Sequence, residues 1–194
     1  MTSLPSHPGF LLVLVGPSGV GKSTISRRLA EAMHITYAVS ATTRVLKKED
    51  VSGKTYEHVS SEEFFRRLDA DQFLEYAQVY GDYYGTPKHP TLDLLAAGKD
   101  VLLEIDVQGA LQVRNQYPNA LLIFILPPDE PTLLQRLKDR GRDSAEEISR
   151  RFRAAKREID MARGAKAFDF WVINDEVERA VREICEIVQK RRRN

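Results

Sequence analysis

The apolar run Phe10–Val15 leads directly into Gly16-Pro17-Ser18-Gly19-Val20-Gly21-Lys22-Ser23, and that octet opens a helical pattern. A buried strand, a glycine-rich turn and a helix start in immediate succession leave few folds open, because such a unit packs its helix back onto a parallel sheet. Glycine lets the backbone curl so that successive N–H groups point at phosphate oxygens, and the helix N-terminus adds partial positive charge. In such a P-loop, Lys22 reaches the β- and γ-phosphates and the Ser23 hydroxyl is placed to ligate Mg²⁺. Thr24, in the first helical turn, joins this ATP-binding set. Four fixed residues at this spacing arise by chance on the order of once in a hundred such chains, and the flanking strand and helix lower that further. The acceptor stays unspecified, since P-loops serve GTPases, ATPases and kinases.

Short apolar runs at Tyr37–Ser40, Val101–Asp106, Leu121–Leu126 and Phe170–Ile173 read as further buried strands, separated mostly by amphipathic segments of helical length. This alternation predicts an α/β fold, a parallel sheet with helices on both faces. Val177, Val181, Ile184 and Val188 share one face of a closing helix. Two stretches break the rhythm. From Ala41 to Ala97 shorter strands, Tyr56–Val59 and Phe73–Tyr80, surround a helix whose start at Ser60-Ser61-Glu62-Glu63 fits a capping box. That pattern predicts a small α+β insertion. Between Leu134 and Arg163 there are ten Lys/Arg and six Asp/Glu, divided at Gly141 between two helices. The expected organisation is thus core 1–40, insertion 41–97, core 98–138, a helical segment 139–163, and core 164–194.

With 29 Lys and Arg against 28 Asp and Glu, the chain has no global charge to draw it to nucleic acid or an anionic membrane. The run Phe10–Val15 is far shorter than the ~20 residues of a membrane span. One cysteine, Cys185, at helical spacing from Ile184 and Val188, excludes a disulfide framework and reads as packing, which suits a cytoplasmic protein. The first nine residues, with Pro5 and Pro8, read as a loose leader, and Lys190-Arg191-Arg192-Arg193 as a solvated terminus. A homo-oligomer stays open.

Ser40-Ala41-Thr42-Thr43-Arg44, Ser52-Gly53-Lys54-Thr55-Tyr56, Phe73-Leu74-Glu75-Tyr76-Ala77, Tyr83-Tyr84-Gly85-Thr86-Pro87, Glu104-Ile105-Asp106-Val107-Gln108-Gly109 and Asn174-Asp175 together carry a resemblance to guanylate kinases that runs from about Phe10 to Val188. The resemblance implies transfer of the γ-phosphoryl of ATP to GMP, with Mg²⁺, in purine nucleotide metabolism. The residue chemistry agrees with a guanine acceptor. Guanine presents N1–H and N2–H₂ donors and an O6 acceptor, so selecting it calls for carboxylates and a hydroxyl, which Glu75, Asp106, Ser40 and Thr86 supply. By resemblance these four contact the base, while Arg44, Tyr56 and Tyr84 hold the GMP phosphate. Glu104, two residues before Asp106, either orders Mg²⁺ waters or pairs with a base. One loop departs from the family: Leu46-Lys47-Lys48-Glu49-Asp50 stands where a Pro-Arg-x-Gly-Glu run is usual. Lys47 thereby replaces a phosphate-gripping arginine and keeps charge without the bidentate fork.

The stretch Arg136-Leu137-Lys138-Asp139-Arg140-Gly141-Arg142-Asp143, followed by Arg150-Arg151, resembles the lid of nucleoside monophosphate kinases, which implies ATP phosphate contacts from Arg140 and Arg151. Asn174 and Asp175, by the same resemblance, lie near the adenine. Lys22, Arg44, Arg140 and Arg151 form the expected catalytic set, and no general base is needed. Two other readings compete: a guanylate-kinase-like scaffold that binds protein partners, against which Lys22 and Ser23 speak, and a P-loop kinase for a different phosphorylated acceptor.

Overall fold

Every residue of β1 (Leu11–Val15) is buried. Leu12 and Leu14 belong to one apolar cluster, and Leu11, Val13 and Val15 to another. Successive side chains of a strand face opposite ways, so a strand apolar at every position must be covered on both faces. The computed structural model describes residues 9–46, 56–139 and 144–193. After β1 come α1 (Lys22–Met33), β2 (Thr36–Tyr37), β3 (Ser40–Thr42), β4 (Tyr56–His58), α2 (Ser61–Asp69), β5 (Phe73–Val79), β6 (Asp82–Pro87) and α3 (Lys88–Ala96). There follow β7 (Val101–Glu104), α4 (Val107–Gln116), β8 (Leu121–Leu126), α5 (Glu130–Lys138), α6 (Ala145–Ala165), β9 (Phe170–Ile173) and α7 (Val177–Arg193).

The larger sheet runs β2-β7-β1-β8-β9 with all its pairs parallel. Ile25 and Leu29 of α1 and Ile184 and Val188 of α7 cover one face; Val107, Ala110 and Val113 of α4 and Ala162 of α6 help cover the other. Phe124 of β8 is fully buried, and its truncation to alanine costs ~3–5 kcal/mol. The fold is α/β. A second sheet, β4-β3-β6-β5, has β3 and β4 parallel and the other pairs antiparallel. It closes over Phe64 of α2, stacked on Phe73 at 4.6 Å between ring centroids.

Three sequence expectations change. Tyr37–Ser40 is not one strand: Tyr37 pairs with Leu102 in the larger sheet, whereas Ser40 already pairs with Tyr56 in the smaller one. The apolar pattern there is continuous, but its hydrogen-bond partners are not. The capping box at Ser60 is half made. Ser60 Oγ accepts from Glu63 N at 3.1 Å, while the Glu63 carboxylate pairs with Arg66 and Arg67. The basic end of α7 is not wholly solvated either, because Arg192 bonds Asp100 and the Met33 carbonyl, and Arg191 the Asn119 carbonyl.

Candidate active site

The glycine-rich loop leaves the C-terminal end of β1, the usual place for ligands in an open parallel sheet. Gly21 caps α1 with φ 95°. A Cβ on Gly21 would stand 2.6 Å from Asn174 Nδ2, and that same amide donates to the Val20 carbonyl at 2.7 Å. Glycine is therefore required at 21 for its left-handed backbone and for the close approach of Asn174. Lys22 Nζ donates to the Gly16 carbonyl, folding the side chain back over the loop.

Parallel pairing sets Leu14 beside Glu104 at the end of β7. The register brings the Glu104 carboxylate to the loop, where Oε1 accepts from the Ser23 hydroxyl at 2.6 Å and Oε2 from the Tyr37 hydroxyl at 2.8 Å. Burial beside Glu104 pushes the Tyr37 phenol far above its ordinary range, so it stays a donor. Among the described residues no cluster of three His, Cys, Asp or Glu forms a metal cage. Mg²⁺ does not need one, since it keeps waters and takes one or two protein oxygens plus phosphates. The adjoining Ser23 hydroxyl and Glu104 carboxylate match that all-oxygen demand.

Two residues beyond Glu104, Asp106 caps α4, its carboxylate accepting from Gly109 N at 2.8 Å. Burial raises its pKa, while the Gly109 N–H and the Lys22 charge oppose the rise. Glu75 comes from β5 and is 3% exposed. Antiparallel register sets it opposite Thr86 of β6, whose N–H and hydroxyl both donate to Glu75 Oε1, at 3.1 and 2.6 Å. Its other oxygen packs on α4 so closely that a Cβ at Gly109 would lie 2.2 Å away. Burial, with the Asp106 charge assisting against the Thr86 bonds, pushes the Glu75 carboxyl up to about 7.

A cleft of about 370 Å³ joins these groups. The P-loop, Glu104 and Asp106 form one wall; Ser40, Arg44, Tyr56, Glu75 and Tyr84 form another; Glu158 of α6 enters from a third side. The Arg44 guanidinium lies over the Tyr56 ring, 5.3 Å from its centroid, and Tyr56 meets Tyr84 edge-on at 5.6 Å. The Arg44 carbonyl accepts from His58 Nδ1 at 2.8 Å, and its N–H bonds Thr42 Oγ1 at 3.1 Å, so its backbone is fixed from both sides.

Some expected residues stand elsewhere. Thr86 is fully buried behind Glu75 and does not line the cleft. Asn174 is 1% exposed and supports the P-loop from beneath, and the Asp175 carboxylate pairs with Arg179 at 2.8 Å. The carbonyls of both accept from Arg136 of α5. Arg151 of α6 pairs with Glu147 at 3.1 Å. Lys47 and Arg140 lie outside the described residues. Sequence reasoning missed Tyr37, Tyr80 and Glu158. Glu158 is one charge in a charge-rich helix, and nothing in the spacing singles it out.

The guanylate kinase family model matches residues 9–191. The guanylate kinase of Thermosynechococcus vestitus is 47% identical over 182 residues, covering 93% of this chain and 94% of its own. That of Gloeobacter violaceus is 48% identical over 180 residues, 92% of this chain and 86% of its own. This chain belongs to the guanylate kinase family. A crystal structure of guanylate kinase from Anaplasma phagocytophilum superposes with a TM-score of 0.77 at 31% identity, over 97% of this chain and 88% of that one. Membership in the guanylate kinase family gives the cleft its reading, a glycine-rich loop with Glu104 and Asp106 on one wall and Glu75 with an arginine and two tyrosines on the other.

Proposed function

We propose that this protein transfers the γ-phosphoryl group of ATP to GMP, giving ADP and GDP, with Mg²⁺. The observation that carries the reading is the cleft itself, in which the P-loop and Asp106 face Glu75, Arg44 and the two tyrosines across a space of nucleotide size. ATP phosphates rest on the loop N–H groups and Lys22. Ser23 would hold Mg²⁺ with Glu104 ordering its waters, and the ion would supply positive charge to offset that of the phosphates. Glu75 and Asp106 accept from guanine N1–H and N2–H₂, Ser40 serves the base edge, and Thr86 acts by holding Glu75. Arg44, Tyr56 and Tyr84 bind the GMP phosphate, with Lys47 assisting from its loop.

An oxygen of the GMP phosphate attacks the γ-phosphorus, a new P–O bond forms, and the bond to the β,γ-bridging oxygen breaks to release ADP. The nucleophile is already anionic, so no side chain has to remove a proton. Lys22, Arg140 and Arg151 stabilise the charge on the transferring group, and Arg44 aligns the acceptor in line. The insertion 41–97 and the lid 139–163 close over both nucleotides and keep water from competing. Among the described residues no helix is long and apolar enough to cross a membrane, and the substrates together with the half-buried thiol of Cys185 suit the cytoplasm. The test is an ADP-release assay with Mg²⁺ and ATP against GMP, AMP, CMP and UMP in turn. Rapid turnover with GMP alone supports the reading, and equal turnover with another nucleotide removes it.

A further inference from the structure

Tyr80 occupies a place that a tyrosine seldom takes. It and Gly81 form the two-residue loop between β5 and β6, with φ of 54° and 98°. Positive φ at both loop positions is the signature of a type I′ hairpin turn, in which Asn, Asp or Gly is preferred at the first position. A bulky residue there crowds its own Cβ against the backbone, and strain of this kind persists where the surroundings or the function hold it.

The surroundings are two other elements. The Tyr80 ring lies under two guanidinium groups of α6, with Arg150 Cζ 5.3 Å and Arg151 Cζ 5.5 Å from its centroid. The residue lines the cleft together with Ser18 of the P-loop and Glu158. One side chain at the hairpin tip thus meets the arginine-bearing helix in the cleft that the phosphate loop also lines. Arg150 and Arg151 are adjacent cations. Glu147, one turn earlier in α6, accepts from both, at 2.8 and 3.1 Å, and the electron-rich ring face attracts both from the hairpin side. The carboxylate belongs to the same helix and travels with it; the ring does not.

We propose that Tyr80 is a positioning residue for phosphoryl transfer, its ring being the platform on which the arginines of α6 are oriented toward the P-loop. The lid arginines then come into place only when the hairpin of the smaller sheet is in place, which couples occupation of the acceptor side to assembly of the phosphate-facing side. The inference rests on the reading of Arg151 as a phosphate-facing group.

The test compares wild type, Tyr80→Asn, Tyr80→Phe and Arg151→Ala by thermal unfolding and by GMP and ATP titrations with Mg²⁺. Asparagine suits the left-handed turn, so Tyr80→Asn should unfold no lower than wild type while its kcat falls about tenfold or more, with KM for GMP within about threefold. Tyr80→Phe, which keeps the ring, should recover most of the lost kcat. A Tyr80→Asn kcat within about twofold of wild type, or Tyr80→Phe as impaired as Tyr80→Asn, overturns the proposal. If Arg151→Ala keeps full kcat, the lid assignment beneath it fails. If Arg151→Ala is slow while Tyr80→Asn is fast, the role of Tyr80 alone fails.

Discussion

The fully buried hydroxyl of Thr86 donates to Glu75 Oε1 at 2.6 Å, across the antiparallel pair of β5 and β6. A carboxylate that faces the cleft is therefore anchored from behind by a fully buried residue. The pairing fixes the direction in which Glu75 presents its free lone pairs, and its burial sets the pH at which they are available.

Stability of the ligand-free protein should carry the mark of Glu75. Its carboxyl sits at about 7 in the fold against 4.5 for the ordinary group, so between those values the native state binds more protons than the unfolded chain. The contribution is fully present below the unfolded pKa and lost as pH rises through the folded one, by on the order of 3 kcal/mol. Glu75→Gln should gain thermal stability relative to wild type between about pH 5 and 8. A Tm difference independent of pH would show that the carboxyl titrates normally.

Binding of GMP should release protons. The donors of guanine favour the ionised Glu75, so affinity should strengthen as pH rises toward about 7 and level off above it. Calorimetry at pH ~6 in two buffers of different ionisation enthalpy measures the proton count directly. No dependence on buffer would place Glu75 away from the base. In the same site AMP lacks the matching donors and leaves the carboxylates unpaired, so its kcat/KM should fall ~10⁴-fold below that of GMP.

Removing the P-loop charge should end turnover without unfolding the protein. Lys22 lines the cleft and, among the described residues, its amine bonds the Gly16 carbonyl of its own loop, so Lys22→Ala takes away phosphate stabilisation and little packing. GDP formation should drop at least ~10³-fold at unchanged Tm. Retained turnover in a folded Lys22→Ala protein would falsify the assignment of the loop.

Tyr37 offers a separate handle on the metal. Its hydroxyl holds Glu104 Oε2 at 2.8 Å while Ser23 holds Oε1 at 2.6 Å. Tyr37→Phe frees one oxygen of the carboxylate and should raise the Mg²⁺ concentration for half-maximal rate by ~3- to 10-fold, with Glu104→Gln worse than Tyr37→Phe. Mg²⁺ titrations at saturating ATP and GMP check this. Unchanged midpoints in both variants would leave Glu104 a purely structural partner of the loop.

The parallel sheet and the phosphate loop were legible because their causes are local. Five apolar residues from Leu11 to Val15 and the octet after them specify a doubly covered strand and an anion-binding turn with no help from distant residues. Glu75 and Asp106 were legible through the motifs around them, as carboxylates with an apolar setting and a strand end.

What the sequence could not show depends on register and on side-chain direction across long separations. Thr86 and Ser40 are alike as hydroxyls in the chain, yet pairing turns Thr86 to the back of Glu75 and leaves Ser40 on the cleft wall. Asn174 lies 154 residues from Val20, and only the stacking of strands brings its amide beneath the loop. Tyr80 and Arg151 sit on separate elements, and their meeting follows from how the smaller sheet stands against α6. Hydrophobic period and glycine placement act within a few residues, so the sequence alone determined β1, the glycine-rich loop and the helix that follows it. Which polar groups face the cleft, which support it from behind and which bridge its walls are contacts between segments far apart in the chain. Tertiary packing alone decided those, because it sets the relative position of elements whose own formation does not depend on it.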